Sequence, residues 1–311
     1  MAILWGLFKT TRPRQWIKNL ALFAPIVFSG LLFTDNYLWT VVEAAIVFTI
    51  LSAAVYLLND LIDAPADRLH PFKKKRPIAS GELPVAIAVF AMITLFVVAL
   101  AWSLQITYFF FLTAFTYLIM QICYTLFLKR VTIVDVLTIA SGYILRVYAG
   151  GFAINAHMDV WFLLTVVSAS LFLAVGKRRC EMTLMKAQGG GGAVRATLKH
   201  YTEPLLDIYT AMFATATWVT YALFTFNHPR IIPKGVVLTF MADLPRTLIS
   251  EKLLMVTTPL VIYGVMRYLQ LIYEKNEGES PERILLTDKA LLTAMGTWGL
   301  LTVGLLYYVG A

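Results

Sequence analysis

Three aspartates, Asp60, Asp63 and Asp67, stand within eight residues of one another directly after a long apolar run, and Arg68, Lys73, Lys74, Lys75 and Arg76 follow almost at once. On a helix advancing 100° per residue, the three carboxylates fall within about 60° of one another. Carboxylates this close repel unless a cation lies between them, and hard oxygen ligands favour Mg2+ or Ca2+. The basic run beside them supplies the remainder of a site for Mg2+ plus phosphate; the alternative is a solvated, mixed-charge loop. Pro65 complicates the helix, because it cannot donate to the carbonyl of Leu61. A helix end near Asp63 is therefore expected, with Asp63 capping a fresh turn that contains Pro65. On that geometry Asp60 and Asp63 lead the ligand set and Asp67 stands behind them.

The elements that must carry these residues follow from composition. The 311 residues are 59% hydrophobic and only 14% charged, with a mean hydropathy of +0.74, the profile of a polytopic membrane protein. Apolar runs long enough to cross the hydrocarbon core predict an all-α chain of about nine transmembrane helices, at roughly 18–34, 38–58, 84–103, 107–127, 134–154, 160–176, 205–227, 253–273 and 289–309. Lysine and arginine crowd the loops on one side, which places that side in the cytoplasm. The whole of 1–311 is then one integral membrane domain, with cytoplasmic polar loops at about 59–83 and 177–204. The net charge of +8 is explained by topology and anionic ligands, and nucleic acid is excluded as a partner because the cations sit in loops between spans. No cleavable signal peptide is expected, since no convincing cleavage site follows Lys9, Arg12, Arg14 and Lys18. Cys123 and Cys180 have no ligand spacing and suggest no disulfide framework.

Other residues carry weaker signals. Arg12 and Arg14 suit a topogenic role beside the interfacial Trp16, while Lys18 and Asn19 enter the first span, where Asn19 needs a cavity or a partner. Tyr124 and Lys129 end the fourth span; a belt tyrosine and a snorkelling lysine account for most of that pattern. In the fifth span Asp135 and Arg146 are eleven residues apart, about 20° around a helix, so both point one way. Arg146 is expected to line a cavity and meet an anionic ligand, with a buried ion pair as the alternative. Lys177, Arg178 and Glu181 follow the sixth span, where an ordinary i,i+4 pair of Lys177 with Glu181 competes with a ligand role. Gly189 to Gly192 is a linker in composition and lacks the lysine of a phosphate-cradling loop. Tyr201 and the segment to Asp207 suit a lid. His157 and His228 are isolated histidines without metal-ligand spacing.

The run from Asn59 to Gly81, N-D-x-x-D-x-x-x-D-x-x-H-P-x-K-x-x-R-P-I-A-S-G, resembles the first aspartate-rich motif of the UbiA-type intramembrane prenyltransferase superfamily. That resemblance implies about nine helices around a central cavity. The second polar loop departs from the superfamily's usual second aspartate cluster, offering Gly176-Lys177-Arg178-Arg179-Cys180-Glu181. With Arg12-Pro13-Arg14-Gln15-Trp16-Ile17-Lys18-Asn19 and Leu145-Arg146-Val147-Tyr148-Ala149-Gly150-Gly151, it is similar to the decaprenyl-phosphate phosphoribosyltransferase branch. The implied reaction moves 5-phosphoribose from phosphoribosyl pyrophosphate to a polyprenyl phosphate, releasing pyrophosphate, in the synthesis of cell-wall arabinan precursors. Asp60, Asp63 and Asp67, with Asn59, would hold Mg2+ (or Mn2+) on the donor pyrophosphate. Lys73, Lys75, Arg76, Lys177 and Arg178 would clamp phosphates, Lys18 and Asn19 would close the cavity floor, and Arg146 or Lys129 would orient the acceptor phosphate. Tyr124 and Glu181 complete the expected substrate-binding set. The implied location is a bacterial cytoplasmic membrane with the site facing the cytoplasm, among membrane lipids, with homo-oligomerisation left open. An aromatic prenyltransferase using prenyl diphosphate, and a non-enzymatic lipid transporter or scaffold, are the competing expectations.

Overall fold

The chain's polar motifs sit on long helices. The computed structural model describes residues 2–34, 36–69, 73–187, 200–229, 231, 252–274, 284 and 286–309, and among these no strand is present. Seven helical stretches are long and apolar enough to cross a membrane: Tyr37–Leu69, Val85–Ile106, Tyr108–Leu126, Val134–Ala153, Val160–Thr183, Leu253–Tyr273 and Lys289–Val309. Two of the nine expected spans are not among them. The expected first span is a 3-10 segment, Pro13–Phe23, followed by a five-residue α-helix, Ala24–Phe28. Pro13 and Pro25 occupy the first turns of these two pieces, where a missing N–H is tolerated. The expected seventh span is a 25-residue helix, Glu203–Asn227, which carries Glu203, Asp207 and a row of threonines.

The described chain divides into two compact units, Met1–Ile26 with Leu32–His157 and Leu184–Thr202, and Val27–Leu31 with Met158–Thr183 and Glu203–Ala311. In the first, α1 (Ala2–Thr10), the 3-10 segment, α4 (Pro77–Ser80), α5 (Val85–Ile106), α6 (Tyr108–Leu126) and α7 (Val134–Ala153) surround α3 (Tyr37–Leu69). Burial sets the order. Over half of the most apolar stretch of α3 and of α7 is buried, 56% in each, against 11% for α5. Phe48 of α3 packs on Phe110 and Tyr117 of α6, while Phe90, Ile93 and Val97 of α5 are exposed, as a lipid-facing surface requires. The 3-10 segment lies against α7 so closely that a Cβ on Gly150 would stand 2.0 Å from the carbonyl oxygen of Leu22. Only glycine fits there.

In the second unit, Phe172 and Cys180 of α8 (Val160–Ala187) share a core with Tyr268, Leu271 and Ile272 of α10 (Thr258–Tyr273) and with Leu291 of α11 (Lys289–Val303). Arg267 donates to both oxygens of Asp288, at 3.1 and 2.7 Å, and Asp288 caps α11 by accepting from the backbone of Leu291. Tyr221 of α9 (Glu203–Asn227) meets Thr257 at 2.7 Å and accepts from the Trp298 indole at 2.8 Å. Tyr221, Thr257 and Trp298 thus satisfy one another inside the bundle.

One expectation about α3 fails. The helix does not end near Asp63; it runs without a break to Leu69 with Pro65 inside it. The polar stretch expected to leave the span at Asn59 therefore continues the helix for three further turns. Proline removes one i→i−4 bond at a cost of about 3 kcal/mol. Ion pairs on both sides of Pro65, at Asp60 and at Asp67, hold the continuing helix in place.

Candidate active site

An unbroken α3 changes which aspartates meet. Asp60 and Asp67 are seven residues apart, nearly two turns, and so face almost the same way, whereas Asp63 is rotated off that line. Asp60 and Asp67 are both buried, and Asp63 is the more open of the three. Arg76, placed between the 3-10 turn Lys73–Lys75 and α4, reaches both: its Nη1 lies 3.2 Å from Asp60 Oδ1 and 2.7 Å from Asp67 Oδ2. Arg12 donates to the same Asp60 oxygen at 2.6 Å, with its guanidinium 4.9 Å from the ring centroid of Tyr56. Lys129 pairs with Asp63 at 2.8 Å. The Asn59 side-chain oxygen accepts from the Thr125 hydroxyl, one residue past Tyr124 on α6. Three carboxylates thus balance three cations drawn from three other parts of the chain.

Arg12 is the residue that sequence reasoning missed. It was expected to be topogenic; instead its backbone takes the left-handed conformation, φ 53°, at the start of the 3-10 segment, and its side chain turns onto Asp60. A non-glycine residue at positive φ is uncommon and marks a chain held by its surroundings. No local sequence signal reports a partner 48 positions away.

Asp60 and Asp67 could share a divalent cation. Their oxygens converge on one positively charged nitrogen, the disposition that two carboxylates sharing an ion require. Among the described residues no three Asp, Glu, His or Cys side chains gather at one point, so the expected four-residue ligand set of Asn59, Asp60, Asp63 and Asp67 does not converge. Two carboxylates suffice for Mg2+, which commonly takes one or two protein carboxylates and completes its shell with water and substrate phosphates.

The remaining candidates fall elsewhere. Lys73 and Lys75 are exposed on the turn before Arg76. Arg146 lies inside the helix packing, 5% exposed, among neutral acceptors that include Asn19. Its hydrogen-bond partners are Asn19, Gly142, Ser52 and Tyr117, none of them a carboxylate. Lys18 lies 5.9 Å from the ring centroid of Tyr143. Asp135 is wholly buried and accepts from the Tyr201 hydroxyl at 3.0 Å. Tyr201, expected as part of a lid, also takes the N–H of Ile133 at 2.7 Å, bracing a β-branched residue held at φ 70°. In the second unit Arg178 is fully buried against Glu181, and Arg179 donates to Asp207 at 2.5 Å. Lys177 is half-buried on the same helix. Gly189 to Gly192 lies outside the described residues.

Residues 21–286 match the UbiA prenyltransferase family. The chain belongs to the UbiA prenyltransferase family. A decaprenyl-phosphate phosphoribosyltransferase of Mycobacterium tuberculosis is 39% identical over 226 residues, covering 71% of this chain and 74% of that protein. A protein of the same name from Corynebacterium glutamicum is 31% identical over 297 residues, 94% of this chain and 84% of its own length. Among solved structures, a UbiA homolog from Archaeoglobus fulgidus bound to GPP and Mg2+ superposes with a TM-score of 0.67 at 19% identity, covering 97% of this chain and 98% of that one. The shared fold is the UbiA fold. Arg12, Lys18 and Asn19 precede the family-matched stretch.

Proposed function

We propose that this UbiA-family membrane transferase moves 5-phosphoribose from phosphoribosyl pyrophosphate to a polyprenyl phosphate such as decaprenyl phosphate, at a site facing the cytoplasm of a bacterial inner membrane. Relatives of that name that cover most of the chain support the reaction. The observation that carries the site is the convergence of Asp60 and Asp67 on Arg76, with Arg12 on the same carboxylate. The donor brings a pyrophosphate and a 5-phosphate, and the acceptor is a phosphate monoester, so anionic oxygens outnumber what the two buried carboxylates could tolerate without added positive charge.

Asp60 and Asp67 would hold a divalent ion, Mg2+ or Mn2+, which when bound neutralises charge on the departing pyrophosphate. Arg76 and Arg12, already aligned on these carboxylates, offer the pyrophosphate planar, multidentate donors at short range. Exposed Lys73 and Lys75 meet the outer phosphates, and Lys129, tied to the more open Asp63, orients the acceptor phosphate. In the second unit, Arg178 serves packing. One acceptor phosphate oxygen attacks ribose C1 as the bond from C1 to the pyrophosphate oxygen breaks, with inversion through an oxocarbenium-like state. The acceptor dianion is already nucleophilic, so no proton need be removed.

Purified protein incubated with Mg2+, labelled phosphoribosyl pyrophosphate and decaprenyl phosphate should place label in the lipid fraction. Failure there, with transfer from a prenyl diphosphate to 4-hydroxybenzoate, would assign the chain to aromatic prenyl transfer. Failure of both would leave a lipid-binding protein.

A further inference from the structure

Arg146 is the most buried cation among the described residues of the first unit, and all three of its guanidinium nitrogens donate. Nε donates to Asn19 Oδ1 at 2.8 Å, Nη1 to the Gly142 carbonyl at 2.6 Å, and Nη2 to Ser52 Oγ at 3.2 Å and the Tyr117 hydroxyl at 2.9 Å. The Tyr117 ring centroid lies 4.8 Å from its central carbon. These acceptors belong to the 3-10 segment, α3, α6 and α7 itself, so a single side chain ties four elements together. A buried guanidinium is expensive unless its donors are satisfied, and that penalty makes the arrangement hard to deform.

The element with most to gain is the 3-10 segment Pro13–Phe23. Internal bonding in 3-10 structure is poor and runs longer than three or four residues are uncommon, so an eleven-residue stretch must be held from outside. Three of its grips bear on its register. At its far end the Leu22 carbonyl rests on Gly150. In its middle, Asn19 accepts from Arg146 and donates to Thr49 at 2.9 Å. At its start, Arg12 is delivered to Asp60. Rise along a 3-10 helix is about 2.0 Å per residue, so a slip of one residue carries Arg12 about that far, enough to open its 2.6 Å contact with Asp60.

We infer that Arg146 is a positioning residue: through Asn19 it fixes the register of the 3-10 segment and thereby holds the Arg12 guanidinium against Asp60. Its importance for donor binding rests on the assignment of the Asp60 cluster to the donor pyrophosphate; its hold on the segment does not. On this reading Arg146 acts through Asn19 and Arg12, not by touching substrate.

The experiment pairs a structural readout with a kinetic one. Spin labels at the exposed positions Arg14 and Ala86, in a C123A/C180A background, report the distance from the 3-10 segment to α5. A second pair at the exposed Val98 and Ile119 reports α5 to α6 as a folding control. In Asn19→Ala and in Arg146→Gln the first distance should shift or broaden by about 2 Å, with the second unchanged, and Asn19→Asp, which keeps the acceptor, should restore the wild-type distance. With phosphoribosyl pyrophosphate as donor, Arg146→Gln should raise KM about tenfold when Arg12 is present and change it little in an Arg12→Ala background, as coupled residues do. An unchanged first distance in both variants, or equal KM effects with and without Arg12, overturns the inference. Label movement in a protein that does not consume phosphoribosyl pyrophosphate sustains the hold on the segment and removes the donor assignment instead.

Discussion

Helix α3 presents Asp60, Asp63 and Asp67, and helix α8 presents Lys177, Arg178 and Arg179; the two differ in where their counter-charges come from. On α3 the partners arrive from 48, 16 and 66 positions away, as Arg12, Arg76 and Lys129. On α8 the buried Arg178 pairs with Glu181 on its own helix, and Arg179 with Asp207 on α9. A guanidinium on a separate segment can release its carboxylate when a ligand supplies other oxygens. A pair three residues apart on one helix moves as a unit and stays shut. The acidic end of α3 is therefore placed to exchange partners, while at the basic end of α8 Arg178 stays paired on its own helix and Arg179 ties α8 to α9.

Breaking the acidic end should have the largest effect. Asp60→Ala or Asp67→Ala should lower phosphoribosyl transfer by roughly 10²–10³-fold, the scale on which loss of one preorganised charge-stabilising group acts, while the protein remains folded in membranes. Initial rates of lipid labelling check this; transfer within a few-fold of wild type would detach these carboxylates from the chemistry. Arg76→Ala should raise donor KM by about tenfold, as loss of one charge-assisted contact of about 1.4 kcal/mol would, and an unchanged KM would remove it from the phosphate contacts.

The basic end sharpens the contrast by failing differently. Glu181→Gln leaves the fully buried Arg178 without its carboxylate, at a cost of about 3 kcal/mol. A lower unfolding temperature in detergent with wild-type donor KM in the folded fraction is expected. A raised KM at unchanged stability would return Arg178 to the substrate. The smallest effect belongs to Lys129→Ala, whose partner Asp63 is 39% exposed: an open ion pair is worth about 1 kcal/mol or less. Its mark should be a modest rise in KM for decaprenyl phosphate and none for the donor.

Hydropathy made seven of the nine expected spans legible, and carboxylate spacing picked out the cluster on α3. Chain direction around Pro65 was not legible, because proline's local penalty predicts a break while the pairs that offset it come from distant residues. That one difference moved the converging carboxylates from Asp60 with Asp63 to Asp60 with Asp67. Arg12 was hidden for the same reason: a cation before the first span looks topogenic until a fold brings Asp60 to it. Arg146 was legible as a costly buried charge, but its direction was not, since Asn19, Ser52 and Tyr117 lie 127, 94 and 29 positions away and are ordinary polar residues in the sequence.

Donor-dependent Mn2+ uptake, followed by the EPR signal of free Mn2+ in wild type, Asp63→Asn and Asp67→Asn, discriminates most directly between the two carboxylate pairs. With phosphoribosyl pyrophosphate present, wild type and Asp63→Asn should take up the ion and Asp67→Asn should not. Uptake retained by Asp67→Asn and lost by Asp63→Asn would place the ion on the other pair and contradict the convergence of Asp60 and Asp67 as the basis of donor binding.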